Sequence, residues 1–254
     1  MSILNLKNNL QTNNHSFKLY TLFVAIYIII QIECIMFVNK QIEIFGYNIT
    51  LSGITFPIDV LLLGVITNSY GYQLARQLLW INNIVIVQFL LYNSVANVFP
   101  FANVMVNNQP DVVFAYDILI PRYIRTCITA LVSENIAEFI FIWLVSRNKI
   151  MHKNGNVGWR IFKYSILANI IMLTIGYMGV FSDYSFTQII KLIFNVMLIK
   201  TLIELLFLYF AIYIANKVRN FEQVDVFDYA KPNPFAFLTQ YKYLNIKNIN
   251  NTEK

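Results

Sequence analysis

The sequence predicts an all-α, polytopic membrane protein with six transmembrane helices and with both termini in the cytoplasm. Of its 254 residues, 57% are hydrophobic and only 13% are charged, whereas an average soluble domain carries about 25% charged residues. Apolar runs long enough to cross a bilayer recur along the chain, and Lys and Arg cluster at their ends. This pattern excludes a water-soluble globule. Because the basic residues lie at the ends of apolar segments, the net charge of +6 indicates membrane orientation rather than nucleic-acid binding.

Six apolar segments are the candidate spans. The first, 17–38, would be about 33 Å long as a helix, enough to cross a hydrocarbon core of about 30 Å. The others lie at 49–67, 79–98, 118–145, 161–181 and 189–215. The second contains Gly53, Pro57 and Gly64, which predicts a broken helix beside a cavity. Pro121, at the start of the fourth, is compatible with either an interfacial turn or a kink.

The distribution of Lys and Arg predicts the orientation. The connection 147–160 is the most basic in the chain, and the segment 99–117 contains Asp111 and Asp117 but no Lys or Arg. By the positive-inside rule, the basic connection is cytoplasmic and the acidic segment is external. We therefore expect a multi-pass protein of the cell inner membrane. It would have a cytoplasmic segment 1–16, a transmembrane domain 17–216 and a cytoplasmic tail 217–254.

Ionisable side chains inside the spans are the candidate functional residues, because burying a charge in a membrane is costly and such groups usually face a cavity or a partner. Glu134 and Glu138 lie one turn apart on the fourth helix, and Lys200 and Glu204 do so on the sixth. Convergent carboxylates inside a bundle predict a polar ligand. The full set is Glu33, Asp59, Arg122, Arg125, Glu134, Glu138, Lys200 and Glu204, with Asn135 and Asn169 as uncharged companions.

Two alternatives are open for these charges. Lys200 and Glu204 either neutralise each other or serve a ligand, and Arg122 and Arg125 either anchor the outer interface or belong to a site.

The sequence predicts no catalytic or metal chemistry. We interpret Cys34 and Cys127 as small packing residues, and no metal-ligand spacing surrounds His15 or His152. There is no nucleotide-binding glycine loop, no GxSxG and no HExxH. We therefore expect a protein that is not an enzyme and that has no cofactor.

A specific pattern begins in the second span. It reads Gly53-Ile54-Thr55-Phe56-Pro57-Ile58, then Thr67-Asn68-Ser69-Tyr70-Gly71-Tyr72, then Ala75-Arg76. Further matches are Arg122, Ala130, Asn135 and Glu138 in the fourth span, Asn169 in the fifth, Lys200 in the sixth and Asn233-Pro234-Phe235 in the tail. From Asn39 to Phe235, the chain resembles the queuosine precursor transporter family, also called the vitamin uptake transporter family.

This resemblance implies a six-span carrier that imports a 7-deazaguanine base, such as 7-cyano-7-deazaguanine (preQ0), 7-aminomethyl-7-deazaguanine (preQ1) or queuine, for tRNA modification. The expected partners are this solute and the lipid bilayer, with a homo-oligomer or an energising subunit left open. Glu138 is the first candidate for the carboxylate that accepts the N–H donors of the base. The expected solute-binding residues are Glu138, Asn135, Glu134, Asn169, Lys200, Arg122, Phe56, Asp59, Asn68 and Tyr70.

The chain departs from the family pattern at Gly64, Asn68 and Met172, where the family usually carries acidic or charged residues. Either the base differs, or Asp59 and Glu134 supply carboxylates from neighbouring turns. Two other functions remain as alternatives: the substrate-binding membrane subunit of an energy-coupling-factor transporter, and a structural membrane protein without a solute.

Overall fold

The computed structural model describes residues 18–152, 155–222 and 224–227. Within these residues, five helices are long and apolar enough to span a membrane. They are α1 (Lys18–Phe37), α2 (Ser52–Val98), α4 (Pro110–Met151), α5 (Val157–Val180) and α6 (Phe186–Glu222), and a short helix α3 (Asn103–Asn108) precedes α4. The prediction of an all-α, polytopic membrane protein is thereby confirmed. The predicted segment 1–16 and Asn233-Pro234-Phe235 lie outside the described residues.

Helix α2 is interrupted at one residue, Gly71. Its φ of 86° and ψ of 173° lie in a region that is essentially restricted to glycine. A straight helix of 47 residues would be about 70 Å long, roughly twice the thickness of a hydrocarbon core. The expectation of a connection at 68–78 is therefore wrong, because only Gly71 leaves the helical conformation. Gly53, Pro57 and Gly64 do not break the helix.

Pro121 lies inside α4, which begins eleven residues earlier at Pro110. The interfacial-turn interpretation of Pro121 is therefore wrong. The turn that starts this helix is at Gln109, and Pro110 occupies the first helical position, where its missing N–H leaves no hydrogen bond unmade.

A β-hairpin connects α1 to α2. Strand β1 (Gln41–Ile44) pairs antiparallel with β2 (Tyr47–Thr50), and Gln41 lies opposite Thr50. The two turn residues, Phe45 and Gly46, have φ values of 51° and 81°, as a tight hairpin turn with a right-handed strand twist requires. The sequence analysis did not predict this hairpin, and placed the start of the second span at Ile49, which lies within β2.

Hydrogen bonds define two ends of the helical bundle. At the end that contains the hairpin, the hydroxyls of Thr50 and Tyr177 are 2.6 Å apart. At the opposite end, the backbone N–H of Leu19 donates to Glu222 Oε1 over 2.7 Å. We name them the outer end and the inner end, following the orientation expected from the charges.

The side chains on the surface of the bundle are apolar at the depth of the spans. On α6, Leu206 is 77% exposed and Phe210 is 57% exposed. The interior contains Tyr27, Leu63 and Phe141, which are fully buried. An apolar exterior along the spans fits a lipid environment better than water.

Candidate functional site

A cavity extends from the outer end to the middle of the bundle, and we name it the outer cavity. Val38, Thr126 and Val180 line its outer part. Its deepest lining residues include Phe56 on α2, Glu134 on α4 and Lys200 on α6. It offers about 40 Å³ to water-sized occupants, well below the roughly 300–1,000 Å³ of a typical small-molecule pocket. The structure is therefore a closed form, and a solute needs the helices or side chains to separate.

Phe56, Glu134 and Lys200 form the floor of the outer cavity. The ammonium of Lys200 lies 3.8 Å from the centroid of the Phe56 ring, a cation–π contact worth about 0.5–2 kcal/mol. Lys200 forms no salt bridge with any described residue. Glu134 Oε2 is buried and has no hydrogen-bonding partner among the described residues. The floor thus presents one donor, one acceptor and one ring.

One helical turn below this floor lies a second set of polar residues, which we name the acid layer: Gln31, Asp59 and Glu138. The amide nitrogen Nε2 of Gln31 donates to Asp59 Oδ2 over 2.8 Å and to Glu138 Oε1 over 3.0 Å. The hydroxyl of Tyr27 lies 3.1 Å from the same nitrogen. Asp59 Oδ1 and Gln31 Oε1 are buried without a hydrogen-bonding partner in the described part of the chain. This layer closes the cavity from below.

Glu204 lies one turn below Lys200 and is held differently from the acid layer. One of its oxygens accepts from Ser165 Oγ over 2.6 Å, and the other accepts from Asn169 Nδ2 over 2.5 Å. Each oxygen therefore has a neutral donor, and Lys200 attracts Glu204 electrostatically without forming an ion pair. The mutual neutralisation of Lys200 and Glu204 in a salt bridge is not seen in this structure. Asn169 Oδ1 is buried without a partner among the described residues.

Asn135 faces away from the outer cavity. It forms a reciprocal amide pair with Asn83, with N···O distances of 2.6 and 2.9 Å. This pair lies in a separate groove of about 700 Å³ between α2 and α4, which is also lined by Trp80 and Trp143. One residue of a helix turns the side chain by about 100°, so the neighbour of Glu134 points to another face.

Three further predicted site residues lie at the ends of the bundle. Arg122 is exposed near the outer end. Tyr70 is buried near the inner end, where its ring packs edge-on against Tyr20 at 5.4 Å between centroids. Asn68 is also at the inner end, and its side-chain oxygen accepts from Arg160 over 3.0 Å. The structure therefore brings together Phe56, Asp59, Glu134, Glu138, Asn169 and Lys200, and it separates these six from Asn68, Tyr70, Arg122 and Asn135.

The inner end is closed by a cluster that we name the inner closure: Asn68, Lys149, Arg160, Asp225 and Val226. The ammonium of Lys149 donates to the backbone oxygens of Asn68 and Val226 over 2.5 and 2.7 Å, and it lies 2.6 Å from Asp225 Oδ1. The backbone N–H of Val226 donates to the oxygen of Ser69. The segment 224–227 therefore docks on the end of the first half of α2. The break at Gly71 leaves carbonyls without helical partners; Val226 satisfies that of Ser69 and Lys149 satisfies that of Asn68.

The positions that depart from the family pattern have different surroundings. Met172 lines the outer cavity, and Asn68 belongs to the inner closure. Gly64 is a helix contact, because a Cβ at this position would lie 2.6 Å from Ile161 Cγ2. Of the three, only Met172 stands where a polar side chain would reach a solute in the cavity.

We expect Gly64→Ala to lower the free energy of unfolding by about 1–3 kcal/mol, because the added methyl overpacks the contact between α2 and α5. The double variant Gly64→Ala/Ile161→Ala removes the clashing side chain and should recover part of the loss. Thermal unfolding in detergent measures both variants. Equal stability of the wild type and Gly64→Ala would contradict the close packing at Gly64.

Sequence reasoning missed Gln31, Tyr27 and Ser165. An uncharged polar residue in an apolar run is a weaker indication of a buried site than an ionisable residue, because burying it in a membrane costs less. In α1, Gln31 falls four residues from Tyr27 and three from Cys34, so these residues share one face of the helix. A search for buried amides and hydroxyls on one helical face would have found the pair of Gln31 and Tyr27.

Residues 50–214 match the family described as "Putative vitamin uptake transporter". The chain belongs to this family. No curated protein and no solved structure gives a significant match. The matched region includes the cavity floor, Asp59, Glu138 and Glu204, and it leaves Gln31 outside. Membership indicates a transporter with a small-molecule substrate in a lipid membrane, and the five long apolar helices agree with a multi-pass protein.

Proposed function

We propose that this vitamin uptake transporter family member imports a queuosine precursor, a 7-deazaguanine base, across the cell inner membrane. The observation that carries the proposal is the floor of the outer cavity, where a carboxylate, an ammonium and an aromatic ring meet at the same depth. The motifs that resemble queuosine precursor transporters supply the identity of the base.

The chemistry of the floor matches the edges and faces of such a base. A guanine-like ring presents adjacent N–H donors, which Glu134 Oε2 can accept, and a carbonyl oxygen, to which Lys200 can donate. The ring of Phe56 offers a surface on which a flat base can stack. Asn169 Oδ1 lies one turn deeper and provides a further acceptor. We place Glu134 at the first contact and Glu138, the first candidate in the sequence analysis, one turn further along the inward path.

The topology that we propose has six spans, with α2 counted as two. Gly71 lies at the inner end, since Asn68 and Ser69 before it contact the inner closure. The residues that follow it return towards the outer end, where Phe89 packs against Tyr123 at a centroid distance of 6.4 Å. Six crossings place both termini on the same side. The basic connection 147–160 favours the cytoplasm as that side.

The test uses cells that cannot synthesise the deazaguanine precursor. When they express this chain and receive a low concentration of 7-cyano-7-deazaguanine, 7-aminomethyl-7-deazaguanine or queuine, we expect queuosine to return to their tRNA. Mass spectrometry of tRNA nucleosides measures the modification. If none of the three bases restores queuosine although the protein reaches the membrane, the substrate assignment is wrong.

In the same cells, we expect Glu138→Gln to lose most of the restored queuosine and Arg125→Gln to lose little, because Arg125 forms an exposed pair with Asp183. Equal losses would contradict the placement of the site. A purified protein that binds the base, but restores queuosine only with additional subunits, would favour the energy-coupling-factor alternative.

A further inference from the structure

We propose that Asp59 and Glu138, bridged by Gln31, form a proton-binding site that couples entry of the solute to entry of protons. This inference deepens the proposed function and rests on it for the nature of the solute. The proton site itself is defined by side-chain geometry and does not depend on which base is carried.

The first step is the number of hydrogens that Gln31 can supply. Its Nε2 carries two hydrogens, which it donates to Asp59 Oδ2 and Glu138 Oε1. The hydroxyl of Tyr27, 3.1 Å from this nitrogen, is also hydrogen-bonded to Glu138. Asp59 Oδ1 receives no donor from any described residue. Of the two carboxylates that share this amide, Asp59 is thus incompletely satisfied. A proton on one of them supplies the missing donor and removes the repulsion between two like charges.

The second step concerns the net charge of the side chains around the cavity and the acid layer. Four carboxyl groups, on Asp59, Glu134, Glu138 and Glu204, are buried around the cavity and the acid layer together with the ammonium of Lys200. The other buried cations of the described residues, Arg76, Lys149 and Arg160, lie towards the inner end. Neither the four carboxyl groups nor Lys200 take part in a salt bridge among the described residues. An unpaired ionised carboxylate in such an interior costs several kcal/mol. The closed interior is therefore stable only with protons bound to some of these carboxyl groups. Glu204 needs a proton least, because each of its oxygens accepts a hydrogen bond.

The third step concerns the solute. A 7-deazaguanine with a neutral side chain brings no charge into the bundle, so its entry cannot neutralise the acid layer. When such a solute accepts a hydrogen bond from Lys200, the ammonium is less able to balance the negative charge of Asp59. A proton must then accompany the solute through the closed form. After release of the solute, Lys200 is again available to Asp59, with which it interacts electrostatically, so the empty carrier returns with one proton fewer than the loaded carrier, and the acid layer keeps at least one.

The position of the acid layer fits this order of events. It lies directly below the floor of the outer cavity, between the solute and the inner closure. The titratable and charged groups that face it come from three helices: Tyr27 and Cys34 on α1, Glu134 on α4 and Lys200 on α6.

The proton site is tested first without solute, by infrared spectroscopy of the purified, detergent-solubilised protein. We expect the carbonyl band of a protonated carboxylic acid at neutral pH in the wild type. Asp59→Asn and Glu138→Gln should each remove or shift this band, whereas Glu204→Gln should leave it. Absence of the band from the wild type, or its persistence unchanged in both Asp59→Asn and Glu138→Gln, would overturn the proposal.

Coupling is tested in proteoliposomes with radiolabelled 7-cyano-7-deazaguanine. With one proton per solute, an interior one pH unit more alkaline than the medium should drive about tenfold accumulation, since one unit corresponds to a tenfold ratio of protons. Glu138→Gln should abolish this accumulation. Counterflow exchange, which needs no driving force, is measured on the same vesicles, so that the accumulation of variant and wild type is compared at equal rates of exchange. Asp59→Asn provides the second variant if Glu138→Gln does not fold.

The outcomes separate the two proposals. Counterflow by the wild type without any effect of the pH gradient would overturn proton coupling and leave import intact. Failure of counterflow with all three bases would overturn the substrate, and the infrared band would then decide on the proton site alone.

Discussion

Lys149→Met is expected to lower the free energy of unfolding by about 3 kcal/mol, because it removes one partner of a buried ion pair. Lys149 and Asp225 have exposed side-chain fractions of 4% and 17%, and their N···O distance is 2.6 Å. The substitution leaves the Asp225 carboxylate with only a longer contact to Arg219, at 3.4 Å. It also removes the donor to the carbonyls of Asn68 and Val226. Thermal unfolding in detergent measures the loss.

The chain contains a matched control for this pair. Arg125 and Asp183 are also 2.6 Å apart, but their side chains are 42% and 69% exposed. Arg125→Met should cost less than about 1 kcal/mol, because water solvates both groups of an exposed pair. Lys149→Met should also make the segment 224–227 more accessible to protease, which Arg125→Met should not do. Similar losses for the two variants would contradict the role of Lys149 in sealing the inner end.

Lys200→Met is expected to weaken binding of 7-cyano-7-deazaguanine by about 10- to 150-fold. A hydrogen bond from a charged donor is worth about 1.5–3 kcal/mol, and each 1.4 kcal/mol changes a dissociation constant about tenfold. Methionine keeps the length of the side chain and its contact with Phe56, but it has no hydrogen to donate. Titration calorimetry on the purified protein measures the dissociation constant.

Lys191→Met is the control for this substitution. Lys191 lies on the same helix, α6, and is exposed. The variant loses the same charge without touching the cavity and should bind with unchanged affinity. Equal weakening by the two substitutions would show that net charge, rather than contact at the cavity floor, governs binding.

The sequence predicted the polar interior from one physical rule, the cost of an ionisable group inside a membrane. This rule identified Asp59, Glu134, Glu138, Lys200 and Glu204, and all five are buried. It works because a long apolar run leaves such residues no water to face, so they turn towards each other. It failed for Glu33 and Arg122, which are exposed.

The resemblance identified the family, but it did not predict where each motif residue lies in the structure. Asn135 matches a family motif and Asn68 stands at a motif position where the chain departs from the pattern, but one forms an amide pair beside an apolar groove and the other lies in the inner closure. A motif records which residues are required, for packing, closure or binding alike. Only the direction of each side chain separates these roles, and sequence spacing does not give this direction across helices.

The elements that were missed were short. The hairpin Gln41–Thr50 has strands of only four residues, and its last two residues, Ile49 and Thr50, were assigned to the second span. The second and third spans were assigned to 49–67 and 79–98, which left residues 68–78 as a connection between them. In the structure these residues lie within α2, only Gly71 leaves the helical conformation, and the reversal of direction that we propose is made there.

This reversal limits how the two halves of α2 can move. Two torsion angles at Gly71 are the main covalent freedom between the half that carries Asp59 and the half that carries Trp80. Because no loop separates the two halves, a conformational change at this point rotates each half as a rigid helix about the α-carbon of Gly71. The inner mouth would widen by hinging there.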